Sequence, residues 1–339
     1  MSFELRGYQE QAIEDIKSEI LKGNKKVILC ATMGAGKTSI VSEIISRMMK
    51  KHSRCLFLVH RRELVKQAAK RFKDQHGIHS GIIMGGHERI DMPVMCSSIQ
   101  SLQRKKPESL PDADVIFIDE GHRSLSAGYQ KIIEHYEGKI IIAMTATPFR
   151  GDGRSVMEAY DGLVHPITML ELIDSGFLVP TKNYIVKEVD FKDVKMRGSD
   201  YDKEEVGKIL LKNDITKDAF ANYKKILSGI PTIAFCSTVE QSKYYNEYFR
   251  ANGVNSAHVD ADTTQEDRDQ ALKGLASGRI KVLFNVGLYC EGLDVPALGG
   301  VMLLRKTASP NLFLQMVGRC QRPFGDKKHG IVLDYGNNT

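Results

Sequence analysis

Lys37 and Thr38 close the octet Ala31-Thr32-Met33-Gly34-Ala35-Gly36-Lys37-Thr38, with Ser39 next. A glycine loop ending in Lys-Thr can turn its backbone N–H groups, here those of residues 33–39, onto phosphate oxygens. The lysine then acts as a point charge near the β- and γ-phosphates, and the threonine hydroxyl can hold Mg²⁺. The full pattern asks for glycine at position 31, and this chain has Ala31. The loop by itself therefore specifies ATP or GTP without saying why it binds. A second signal is Asp119-Glu120-Gly121-His122, directly behind the apolar run Val115–Ile118. A strand that ends in two carboxylates carries them to the edge of an open α/β sheet where ligands bind. Asp119 can share Mg²⁺ with Thr38, and Glu120 can orient and deprotonate an attacking water. The third signal is Gln315-Met316-Val317-Gly318-Arg319-Cys320-Gln321-Arg322-Pro323. On a helix, the three-residue spacing would point Arg319 and Arg322 the same way, as suits the charge building on a transferring γ-phosphoryl group. Together the three signals describe triphosphate hydrolysis.

Weaker signals fall on the same strand ends. Thr145-Ala146-Thr147-Pro148 follows the apolar run 140–144. Its two hydroxyls, Thr145 and Thr147, could bond the acidic turn and report the state of the γ-phosphate; taken alone, it is a turn closed by proline. Glu291-Gly292-Leu293-Asp294-Val295-Pro296 follows another apolar run. Gly292 suggests a sharp turn, and the carboxylates could meet a ribose hydroxyl or a basic partner. His60-Arg61-Arg62 stands at a strand exit, ahead of a helix whose Lys66, Lys70 and Lys73 form a solvated face. Ser97, Ser98 and Gln100 follow a further strand and suit phosphate-backbone contacts without base reading. Arg104, Lys105 and Lys106 read as solvated surface.

The elements that must carry these residues alternate between strand and helix, which indicates α/β architecture with largely parallel sheets. Strands are predicted near 27–31, 56–59, 82–84, 94–96, 115–118 and 140–144, after a helix near 8–21. The alternation breaks at about 185–230, where the run 187–205 is dense in charge and poor in apolar residues. It resumes with strands at 232–235, 256–259, 282–285, 300–303 and 330–334. The expected organisation is a first lobe over 1–168, a linker with peripheral helices over 169–229, and a second lobe over 230–339. At 339 residues there is room for two such domains. The net charge of +6 permits a polyanion partner without requiring one. No apolar run approaches the ~18 residues of a membrane span, and the first residues lack the build of a signal peptide. The six cysteines form no C-x-x-C pair, which points to reduced, buried thiols in a cytoplasmic protein.

In order and spacing these stretches resemble the superfamily 2 helicases and translocases over nearly the whole chain. Leu5-Arg6-Gly7-Tyr8-Gln9 looks like the adenine-contacting motif of that family, with Arg6 and Gln9 as its contacts. Residues 31–38 resemble motif I, 60–67 motif Ia, 97–102 the next strand-end motif, and 119–122 a DEAH-like motif II. Residues 145–148 resemble motif III, 235–237 motif IV, 285–296 motif V and 315–323 motif VI. Thr-Ala-Thr-Pro-Phe-Arg and Glu-Gly-Leu-Asp-Val-Pro are similar to the branch of restriction-enzyme motors, phage recombination helicases and excision-repair translocases. The resemblance implies two tandem RecA-like lobes with ATP and Mg²⁺ in the cleft between them. It implies catalysis by Lys37, Glu120, Gln315, Arg319 and Arg322. Gly292 and Asp294 would assist in nucleotide binding, and His122, Thr145 and Thr147 would couple hydrolysis to movement. The track, held mainly by its phosphates, would meet His60, Arg61, Arg62, Ser97, Ser98, Gln100, Cys236, Ser237, Val286 and Gly287. It would be single-stranded, duplex or branched DNA in preference to RNA, read by a monomeric motor with no membrane partner. An RNA helicase, or a motor feeding a separate nuclease or replication or recombination partner, is the alternative. Ala31 and Gly121 depart from the family pattern.

Overall fold

The computed structural model describes residues 4–60, 62–85, 87–88, 92–146, 155–185, 189–290, 292–293 and 295–338. The chain divides into two compact units, Met1–Glu171 and Leu172–Thr339. Each is a mainly parallel sheet flanked by helices.

In the first unit the strands are β1 (Lys26–Cys30), β2 (Cys55–Val59), β3 (Gly81–Met84), β4 (His87–Glu88), β5 (Val94–Ser98), β6 (Val115–Ile118), β7 (Ile140–Thr145) and β8 (Gly162–Val164). Their order in the sheet is β4-β3-β5-β2-β6-β7-β1-β8, parallel throughout except for the β3–β4 pair. β2, β5 and β6 are buried along their whole length, the mark of strands covered on both faces. The helices are α1 (Gly7–Leu21), α2 (Lys37–Met49), α3 (Arg62–His76), α4 (Ile99–Leu102) and α5 (Ala127–His135). α1 turns Gln9, Ala12, Ile13 and Ile16 inward, and α2 turns Ile40, Val41, Ile44 and Ile45, the i, i+3, i+4 stripe of a half-buried helix. β1 lies between β7 and β8, with Cys30 opposite Thr145. The loop after β1 therefore emerges beside the ends of β7 and β6.

The second unit opens within α6 (Met169–Asp174) and continues through β9 (Thr181–Ile185), the short hairpin β10 (Met196–Arg197) and β11 (Asp200–Tyr201), α7 (Lys203–Leu210) and α8 (Asn213–Asn222). There follow β12 (Thr232–Cys236), α9 (Val239–Ala251), β13 (Ser256–Val259), α10 (Gln265–Ala276), β14 (Val282–Val286), β15 (Gly300–Leu304), α11 (Pro310–Val317) and β16 (Gly330–Asp334). The sheet order is β13-β14-β12-β15-β16-β9, with every pair parallel.

The segment expected as a linker over 169–229 is built into this second unit. β9 pairs with β16 from Thr181 to Ile185. Val206, Leu210, Ile215, Ala219, Tyr223 and Leu227 share one core with Tyr245, Phe249 and Phe284. Asp200 bonds the Thr307 hydroxyl at 3.1 Å and the Ala308 N–H at 2.8 Å. Of the charged run 187–205 that suggested a linker, only residues 203–205 belong to α7; the inward faces of α7 and α8 are apolar at helical spacing. All six cysteines are buried, and no helix among the described residues is long and apolar enough to cross a membrane.

Candidate functional site

The loop expected to hold phosphate joins the buried end of β1 to α2. Gly34 and Gly36 both take left-handed backbone, at φ 82° and 77°, where a side chain is strained. Gly36 is also the residue from which α2 starts. A Cβ at Gly36 would run into the Gln9 amide. That amide donates to the Ala35 carbonyl at 2.9 Å while its oxygen accepts the Arg6 N–H at 3.0 Å. The Tyr8 hydroxyl donates to the same Ala35 carbonyl at 3.0 Å, and Arg6 donates to Tyr8 at 3.2 Å. The start of α1 thus braces the loop from behind. Lys37 Nζ donates back to the Ala31 carbonyl at 2.8 Å and reaches the Thr32 carbonyl at 3.5 Å. Ser39 accepts from Gln75 of α3 at 3.0 Å. Met33, Thr38 and Ser39 are half-buried.

Glu120 is the strained residue of the acidic turn. Its backbone is left-handed, φ 54° and ψ 52°, a conformation that costs a non-glycine residue about 1–3 kcal/mol and clusters at functional sites. The turn is tightened by the Glu120 N–H, which donates to Asp119 Oδ1 at 3.0 Å. Gly121 has its own reason here: a Cβ would stand 2.8 Å from the Ala143 methyl, so the family's usual alanine has no room. His122 Nδ1 lies 3.3 Å from Glu120 Oε2 and 3.4 Å from Thr145 Oγ1. Burial pushes the Glu120 carboxyl up, but His122 and the charges of Lys37 and, more weakly, Arg123 bring it below its ordinary value. The carboxylate is thereby kept ionised, as a base toward water requires. Ser124 supports the turn, donating to the Gly121 carbonyl at 2.6 Å and accepting from Tyr160 at 2.8 Å.

The neighbouring strand ends carry a polar chain. His60 Nε2 is 3.4 Å from Arg123 Nη1, and His60 Nδ1 is 3.4 Å from Gln100 Nε2. Arg62 is exposed, with its guanidinium against Gly85. Ser97 and Ser98, expected at a phosphate backbone, are instead fully buried. The Ser97 hydroxyl donates to the Ile83 carbonyl at 3.0 Å, and Ser98 pairs with Ser101 at 2.8 Å. Their hydroxyls close the end of β5 and leave Gln100 as the polar side chain of that motif at the edge.

In the second lobe the arginines separate. α11 ends at Val317, and Gly318–Cys320 form a single 3-10 turn, so Arg319 and Arg322 do not share the α-helical face expected for them. Arg319 is buried, and its guanidinium donates to the Cys290, Leu293 and Gln315 carbonyls, at 3.1 Å for Nη1 to Leu293 and 3.2 Å for Nε to Gln315. It pins Cys290 and Leu293 beside a turn whose backbone is left-handed at Gly287, Tyr289 and Gly292. Arg322 is half-buried, whereas Gln315 is buried. Cys236 is buried at the end of β12, opposite Val286, and its thiol is pushed up to about 12 by burial. Ser237 is buried too, its N–H held by Gln241 at 2.8 Å. Neither side chain is on the surface where a track contact was expected. Arg61, Thr147 and Asp294 lie outside the described residues.

The structure thus gathers Arg6, Gln9, residues 33–39, Asp119, Glu120, His122 and Thr145 at one sheet edge. Arg123 and Gln75 were not anticipated. Arg123 could have been, as a cation directly behind the acidic turn; Gln75 had no signal, since only folding brings the end of α3 to Ser39.

The family profile described as "Type III restriction enzyme, res subunit" matches residues 2–150, and that of the "Helicase conserved C-terminal domain" matches residues 212–323. The chain is 34% identical over 89% of its length to the "51.5 kDa protein" of a Lactococcus phage, and 31% identical over 98% to IRC3 of Saccharomyces cerevisiae, which carries the name of an ATP-dependent helicase. It spans 63% and 51% of those two proteins' own lengths. Among solved structures, the Type ISP restriction-modification enzyme LlaBIII bound to DNA superposes with a TM-score of 0.74 at 18% identity, covering 100% of this chain and 28% of that one. At that identity the likeness establishes the fold: two RecA-like lobes.

Proposed function

The chain belongs to superfamily 2 of the helicases and translocases, and from that premise we propose that it hydrolyses ATP to move along or remodel DNA. The observation that carries the reading is the acidic turn, where a strained, ionised Glu120 stands within the influence of Lys37 and beside His122, whose Nδ1 also approaches Thr145 Oγ1. LlaBIII, the structural neighbour bound to DNA, favours DNA over RNA as the track.

ATP is the substrate. The left-handed Gly34 and Gly36 and the start of α2 leave backbone N–H groups for its phosphates. Lys37 exchanges its carbonyl partners at Ala31 and Thr32 for β- and γ-phosphate oxygens. Thr38 and Asp119 offer the hard oxygen donors that Mg²⁺ prefers, and the ion would neutralise phosphate charge there. Glu120 orients water and takes its proton as oxygen attacks the γ-phosphorus and the bond to the ADP oxygen breaks. His122 ties the state of that carboxylate to the end of β7. In the second lobe Arg322 is the arginine of motif VI assigned to the γ-phosphoryl charge, since Arg319 is committed to carbonyls.

His60, Arg62 and Gln100 form the proposed phosphate-contacting edge of the track. Arg123 joins that edge to the neighbourhood of Glu120, a route by which an occupied track could act on hydrolysis.

The test is phosphate release by the full chain with no nucleic acid, single-stranded, duplex or forked DNA, and RNA. DNA should stimulate turnover most. Glu120→Gln should still bind ATP and DNA and lose turnover by about 10²-fold or more. Turnover by that variant at the wild-type rate sinks the assignment.

A further inference from the structure

Lobe 2 carries an open groove of about 1190 Å³ on the sheet edge where its strands begin, away from Ser237, Val286 and the 287–293 loop. Its floor includes Pro231, Gly299 and Ile331, at the starts of β12, β15 and β16. One wall is β9, the outermost strand, which pairs with β16 alone among the described residues. The groove is also lined by Lys225 and Ile226 of the π-helical turn Tyr223–Leu227 that continues α8, a distortion frequent at functional sites.

Three exposed lysines line this groove, Lys182 on β9, Lys225 on the π turn and Lys328 before β16. No hydrogen bond or ion pair holds any of them among the described residues. Lys327 is different: it donates to the Pro296 and Leu298 carbonyls at 3.0 and 2.8 Å and belongs to the fold. Asp326 is the one carboxylate in the lining. Two aromatic rings stand out at the rim, Phe324 at 56% exposure and Tyr184 at 38%.

Ammonium groups without partners beside exposed rings match the two chemistries of a nucleic-acid single strand, phosphates on the cations and bases stacked on the rings. An acidic peptide would use the lysines equally but has no comparable use for both rings. We propose that the groove is a second nucleic-acid site, which takes a single strand apart from the track formed by the motifs. The proposal rests on the motor reading only for the presence of such a strand.

The test uses the full chain and a fluorescent 15-mer single strand carrying 5-iodouracil. Photocrosslinks should map to peptides containing Tyr184 or Phe324. The variant K182E/K225E/K328E should bind the strand at least tenfold more weakly at low salt, with a salt slope shallower by roughly 2. Phe324→Ala should weaken binding roughly tenfold. Both variants should melt like the wild type and keep their stimulation by a short duplex. Wild-type affinity in the triple variant, with crosslinks confined to 60–76 and 97–102, overturns the groove and leaves the motor intact. Displacement by a polyglutamate 15-mer together with no effect of Phe324→Ala overturns it in favour of an acidic peptide. If the wild type neither binds the strand nor responds to any nucleic acid, the motor reading falls and the groove with it.

Discussion

At the scale of single residues, two arginines three positions apart take on different work. Arg319 is buried with its guanidinium donating to the Cys290, Leu293 and Gln315 carbonyls, so Arg319→Ala strips donors from buried acceptors and should cost stability of about 1–3 kcal/mol. Arg322→Ala should leave the melting temperature alone and cut kcat by roughly 10³-fold with little change in nucleotide affinity. Calorimetry and steady-state kinetics on the pair separate the roles; a stable, inactive Arg319→Ala would reverse them. Asp260 gives a pH signature. Burial pushes its carboxyl up, but the His258 and Thr263 hydrogen bonds and the Asp262 N–H hold it at about 2. A carboxyl lowered on folding contributes stability above its unfolded value, near 3.9, and loses it as pH falls toward 2. The melting temperature of Asp260→Asn should therefore lie below the wild type at pH 6 and converge with it between pH 4 and 2. The placement of Lys37, Thr38 and Glu120 at one sheet edge was legible in sequence, because glycine, lysine and paired carboxylates at a strand end have few other uses. Ser97, Ser98 and Cys236 were not, because a small side chain at a strand end can face in or out, and the sequence does not say which.

At the scale of elements, the strands with continuous apolar runs were legible to within a residue or two. The edge strand β9 was not: Thr-Lys-Asn-Tyr-Ile is polar because it has one neighbour and lies largely open. α7 and α8 hid in the same way, with few apolar residues but the larger of them turned to one core. Their place in the core has a measurable consequence. A fragment over 172–339 retains β9, α7 and α8 and should unfold in one cooperative transition. A fragment over 230–339 lacks Tyr223, Leu227 and Leu210 against Tyr245 and Phe249 and should be aggregated or molten, with no sharp near-ultraviolet circular dichroism. Cooperative unfolding of the shorter fragment would restore the linker. The short bond network from Arg6, Tyr8 and Gln9 to Ala35 shows how a helix start, readable only by resemblance, becomes part of the phosphate loop's support.

At the scale of the whole molecule, the order of motifs carried more than any one of them: it specified two RecA-like lobes from a loop that departs from its pattern at Ala31. That departure has a local meaning. Ala31 is fully buried, its N–H bonded to the Thr145 carbonyl at 3.0 Å and its carbonyl to Lys37, so position 31 continues β1 and needs none of glycine's freedom. The six cysteines share that seclusion. They lie in the interiors of both lobes, and burial pushes the thiols of Cys55, Cys96, Cys236 and Cys320 up to about 12. Thiolate is what reacts with a maleimide or a disulfide reagent, so the folded chain should react slowly or not at all, and six thiols should appear in denaturant. Rapid native labelling would contradict the burial. If it holds, the protein is optically silent to thiol dyes as it stands. One cysteine placed on the surface of each lobe would then give a clean donor–acceptor pair, and single molecules could be watched with and without ATP while every native residue stays in place.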